Sequence, residues 1–242
     1  MRQSSLAAAV LLLASSLSSV AAPALAADRK EPVIVVSGEG RAVAAPDLAI
    51  VTLGVAETRK TAREALDVAN AAMAKVIDAL KAQGIAPRDL QTSGLSVQAQ
   101  YSYPQNEDGT PKPPLLTGYL VSNSLTVRIR DIAKVGAIID QAVTLGVNQG
   151  GEIRFTNESP GKTISVARTA AVKDAIDKAR TLADAAGVKL GRILEITEAG
   201  MPPEPRPMMR MQMAKEASDA VPLEVGENSY SVSVSVTFSI GQ

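Results

Sequence analysis

The sequence predicts an α+β fold: a mixed sheet with helices packed on one face. Two observations carry this. Seven short segments show the alternating or unbroken apolar patterning of strands, and three longer ones repeat apolar residues at helical spacing. Their order, β-β-α-β-β-α-β-α-β-β, separates strands by helices and by one hairpin, which puts the helices in a layer of their own. From Leu48 to Phe155 the order is the split β-α-β-β-α-β of a ferredoxin-like unit, and a further α-β-β portion follows it.

The elements follow in order. Pro32 to Ser37 is a short run rich in Val and Ile, broken by Gly38-Glu39-Gly40. A second strand runs from Leu48 to Val55 after a turn at Pro46-Asp47. Thr61 and Glu64 have capping-box spacing, in which each side chain satisfies an orphaned backbone N–H. Leu66, Ala69, Met73, Val76, Ile77 and Leu80 then form one apolar helix face, which Gly84 and Pro87 terminate.

From Leu95 the period becomes two: Leu95, Val97, Ala99, Tyr101 and Tyr103, then Tyr119, Val121, Leu125, Val127 and Ile129. With Pro104 to Pro114 between them, these read as a long hairpin with an extended tip around Asp108-Gly109. Asn123 interrupts the apolar face, marking a bend or an interface. Asp131 is placed to cap a second helix with Ile132, Val135, Ile139 and Val143 inward and Gly146 at its end. A short strand at Ile153 and Phe155 precedes an alanine-rich helix from Lys162 to Ala186, which Gly187 stops. Another short strand spans Ile193 to Ile196. Residues 200–222 form a Met/Pro-rich loop that reads as a connector. The chain closes with Tyr230, Val232, Val234, Val236, Phe238 and Ile240 on one face of a strand. Ser229, Ser231, Ser233, Ser235, Thr237 and Ser239 occupy the other.

Composition restricts the chemistry. The 242 residues contain no cysteine, histidine or tryptophan, which removes the commonest catalytic base and metal ligand and the most reactive nucleophile. Positive Arg2, the apolar stretch Leu6 to Ala22 and Ala24-Leu25-Ala26 have the layout of an export signal over residues 1–26, so residues 27–242 are expected in the periplasm as one domain. Without Arg2 the formal charge is about minus one, which argues against nucleic-acid or anionic-lipid partners. After the leader no apolar run reaches the roughly 18 residues of a membrane span.

Several landmarks resemble the SIMPL-domain family. They are Val36-Ser37-Gly38-Glu39-Gly40 followed by Pro46-Asp47-Leu48-Ala49, then Gly118-Tyr119 with Ser122-Asn123-Ser124-Leu125. Lys178-Ala179-Arg180-Thr181-Leu182-Ala183 leading into Ala186-Gly187-Val188, and Val143 to Gly151, extend the likeness over nearly all of the mature chain. The resemblance implies two interlocked halves, a homo-oligomer (ring- or channel-like in one form), and a part in defence against oxidative stress. It carries over no catalytic residue and no cofactor.

Motifs with possible chemistry have plainer readings. Gly38-Glu39-Gly40 lacks the downstream helix N-terminus that a phosphate loop needs, so a bend or bulge is the better reading. Met201, Met208, Met209, Met211 and Met213 could scavenge oxidants or bind Cu(I), but a connector is the simpler account. Asp108-Gly109-Thr110 sits among prolines and reads as a hairpin tip; with Asn106 it lacks the spacing of a calcium loop. A Ser–Lys or paired-carboxylate hydrolase is the rival reading, although no diagnostic motif supports it. The six hydroxyls of the last strand form a face without the Lys or Glu that usually guards a solvent-facing strand, which suggests assembly.

Overall fold

A computed structural model of the chain describes residues 31–198, 200, 205–208 and 223–241. The leader reading and all the methionines of residues 200–222 except the backbone of Met208 lie outside these. The chain divides into two units, Met1–Pro32 and Val33–Gln242, and every element below belongs to the second.

The elements are β1 (Val33–Ala44), β2 (Leu48–Arg59), α1 (Ala62–Ala82), β3 (Leu90–Ser102), β4 (Leu115–Ile129), α2 (Val135–Thr144), β5 (Gln149–Thr156), α3 (Gly161–Ala186), β6 (Lys189–Glu198), β7 (Arg206–Met208) and β8 (Glu227–Gly241). The α+β class and the element order are as expected. Pairing departs from one mixed sheet, because two sheets form and every neighbouring pair of strands is antiparallel. One sheet has the order β3-β4-β2-β5, the arrangement a split β-α-β-β-α-β unit produces when each helix carries the chain over an intervening strand. The other has the order β1-β8-β6, with β7 also on β8.

Because β1 pairs with β8 along its whole length, the first strand of the chain completes the sheet of the last. That exchange interlocks the halves. Each has its own core. Leu53, Val55, Val76, Val121, Val127 and Ile138 belong to one, between the first sheet and α1 and α2. Val36, Val232, Val234, Val236 and Phe238 pack against Ala167, Ala171, Ala175 and Ala179 of α3 in the other.

Local signals explain most ends. Thr61 and Glu64 form the reciprocal cap of α1, and Gly84 takes φ +89° after it, where a side chain would be strained. Gly187, at φ +67°, closes α3. The start of α2 differs from expectation: Asp131 makes no capping hydrogen bond, a 3-10 turn at Ile132–Lys134 intervenes, and Asp131 pairs instead with Lys134. Its buried face is Val135, Ile138 and Ala142, with Ile139 partly buried beside them, while Val143, about 80° round the helix from Val135, is 56% exposed.

Gly38 and Gly40 also differ from expectation. They neither bend nor bulge β1, which runs through them in unbroken register opposite Val234 and Val232. Their role is to admit α3: a Cβ on Gly38 would lie 2.1 Å from the Ala171 carbonyl oxygen, and one on Gly40 2.0 Å from that of Ala167. The connector region shows one further departure, since Arg206–Met208 forms a short strand on β8.

Candidate functional site

Among the described residues, no helix covers the face of the second sheet opposite α3. Period-two alternation on β8 sends Tyr230, Val232, Val234, Val236 and Phe238 into the core, so Ser231, Ser233, Ser235, Thr237 and Ser239 share the opposite side. The register puts Val33 beside Ser239, Val35 beside Thr237, Glu39 beside Ser233 and Arg41 beside Ser231. Glu195 and Thr197 of β6 flank Thr237 and Ser235. The hydroxyl band is therefore uncharged along β8, bordered by exposed valines toward one end of β1 and by one acid and one base toward the other. Ser229 leaves the band, being only 8% exposed.

Behind this face, a polar joint ties the halves together. Asn157, just after β5, donates from Nδ2 to the Ala45 carbonyl (2.7 Å). Its Oδ1 accepts from the hydroxyl of Tyr230 (2.9 Å) and from Asn228 Nδ2 (3.0 Å). Tyr230 is 1% exposed, and burial pushes its phenol pKa up, with the nearby Asp47 charge adding to the effect. Asp47 of the Pro-Asp turn accepts from the Glu158 backbone N–H at 2.7 Å, and its own N–H donates to Thr156 O. This anchoring accounts for the Pro46-Asp47 signature.

Next to the joint, Arg130 makes two bonds to Glu158, at 2.9 and 2.6 Å, and a third to the buried carboxylate of Asp89. Its bond to Arg130 holds the Glu158 carboxyl below the usual range, against the opposing effect of partial burial. Bonds to Glu158 first, then Asp89, raise the Arg130 guanidinium. Such a bidentate pair fixes orientation as well as charge. Asn148 acts similarly on backbone, accepting from Ala56 N (2.8 Å) and donating to Ala56 O (2.9 Å) as another strand residue would.

The other motif residues are brought into no common cleft. Asp108 accepts from the backbone and hydroxyl of Thr110 at 2.9 and 2.7 Å; these bonds lower its pKa and close the hairpin tip around Gly109. Asn123 donates weakly to Asn70 at 3.4 Å, while its Oδ1 is buried without a partner. It marks the floor between α1 and β4, and β4 passes through it in register with β2. Among the described residues no three carboxylates gather closely enough to hold a metal, and no helix is long and apolar enough to cross a membrane. Sequence reading did not pick out Asn157, Asn228, Asp89 or Arg130, because single polar residues in loops and at strand ends carry no period.

A family model described as SIMPL, a protein of unknown function (DUF541), matches residues 34–238. The chain is 52% identical over 211 residues to the "26 kDa periplasmic immunogenic protein" of Brucella melitensis, covering 86% of this chain and 84% of that one. The protein of the same name in Brucella abortus matches equally. At 30% identity over 196 residues it is also similar to the "Uncharacterized protein YggE" of Escherichia coli K12, covering 81% and 76% of the two chains.

Proposed function

Because the chain belongs to the SIMPL family, we propose that it is a periplasmic, non-enzymatic protein that assembles with copies of itself and supports envelope or oxidative-stress tolerance. The periplasmic location is supported by the name of the Brucella relatives and by the export-signal pattern of residues 1–26. The oxidative-stress role is supported by the family resemblance.

One observation supports assembly above others: a sheet face uncovered by any described helix, whose central strand presents hydroxyls and no charge. β8 is paired on both sides, so any partner on this side meets the sheet face to face. A band of serines lets another surface approach closely, satisfies hydrogen bonds across the gap, and imposes no repulsion. Native mass measurement tests this. The wild-type chain is expected as a multimer at micromolar concentration, and Ser233→Lys with Ser235→Lys as smaller particles of unchanged fold. A multimer indifferent to both lysines would move assembly to another surface.

A further inference from the structure

We propose that the free edge of β1, together with the flank of α3, is a docking groove for an extended, apolar stretch of polypeptide. β1 ends its sheet: among the described residues only β8 pairs with it, in one unbroken register from Val33 to Ala44. Two hydrogen bonds show which backbone groups point away from β8. The Glu39 N–H donates to Asp174 Oδ2 at 2.8 Å, and the Ser37 carbonyl accepts from Lys178 Nζ at 3.0 Å. Alternation then turns the N–H and C=O groups of Val33 and Val35 outward as well.

The Asp174–Lys178 pair, joined at 2.7 Å, acts as a stand-in for a strand. Accepting from the N–H of one residue and donating to the carbonyl two positions earlier is what a single residue of a parallel strand does. The lock covers Ser37 and Glu39 only. Beside the lock, and sharing Ser37, Asp174 and Lys178 with it, lies a groove of about 520 Å³ whose other walls are Val36, Asp177, Thr181 and Leu182. That volume falls in the roughly 300–1,000 Å³ range of ligand-binding clefts. Leu182, on the groove wall, is 51% exposed.

The chemistry of the edge selects the occupant. Donors and acceptors repeating at strand spacing are matched by extended backbone; helices bond internally and small molecules do not repeat. Main-chain bonds would supply affinity, and an apolar side chain against Val36 and Leu182 would supply selectivity. The opposite edge offers less, because β6 shifts register between Leu190 and Ile193 and again before Glu195, irregularities that blunt pairing. A second copy entering by its own β1 would bring another α3 alongside the first, whereas a single extended segment brings no helix.

The test is fluorescence anisotropy of the exported chain with a labelled heptapeptide alternating valine and threonine between terminal lysines. Saturable binding is expected. It should weaken about tenfold when alternate peptide amides are N-methylated, the effect of losing one or two main-chain hydrogen bonds. Leu182→Glu should weaken binding similarly, while Val166→Glu, exposed on α3 but outside the groove lining, should not. No saturation up to about 1 mM peptide, or binding indifferent to N-methylation, would overturn the proposal. So would self-association that excludes the peptide and disappears in Val35→Pro, since the occupant would then be a second copy.

Discussion

Gly38 and Gly40 are held by a distance rather than by a turn. Neither takes a positive φ, yet a methyl at either would drive into the backbone of α3. Backbone cannot step aside as a flexible side chain does, so Gly38→Ala should cost about 3 kcal/mol, near the upper end of overpacking penalties. Gly161→Ala, where a Cβ meets nothing within 4 Å, should be close to neutral. Urea unfolding of the two variants compares them, and equal midpoints would refute the close-approach reading. Asn157→Ala removes the acceptor of a buried tyrosine hydroxyl and should cost about 2 kcal/mol, the desolvation penalty of an orphaned polar group. Tyr230→Phe in the same background should recover part of that loss. The sequence signature Gly-Glu-Gly was visible from the start, but its meaning was not. The neighbour that forbids a side chain lies more than 120 residues away in α3, and no local pattern records it.

Elements were legible where their signals are local. The α1 helix, with its reciprocal cap, its apolar stripe and Gly84, could be drawn from sequence and is found as drawn. The same holds for α3 and for the alternation of β8. The start of α2 was less legible because Asp131 fits a cap pattern but bonds to a lysine, and a 3-10 turn precedes the helix. The loop after β5 draws stability from Glu158 through its bonds to Arg130. Since the folded pKa of Glu158 lies below its ordinary value near 4.5, this contribution is present above that value. It is lost as the pH falls through the depressed folded pKa. Melting temperature followed from pH 7 into the acid range should therefore fall less steeply for Glu158→Gln than for the wild type. An identical slope would show that the ion pair is not linked to folding. Solvent screening at this half-exposed pair keeps the effect small.

At the scale of the molecule, the strands were legible and their partners were not. β1 and β2 are separated by three residues yet belong to different sheets, because β1 pairs with β8 at the far end of the chain. Turn chemistry at Pro46-Asp47 is compatible with a hairpin or with a crossing between sheets, so only the long-range pairing decides. That pairing leaves the hydroxyl side of β8 uncovered by any described helix and joins the halves through Asn157, Asn228 and Tyr230. The proposed self-association rests on that side of β8 and its uncharged hydroxyls. The most direct measurement is the native mass of the exported chain at micromolar concentration, taken beside the Ser233→Lys, Ser235→Lys variant. An assembly of several chains that falls toward single chains in the double variant is the predicted result. A wild-type protein that is already monomeric would contradict the account.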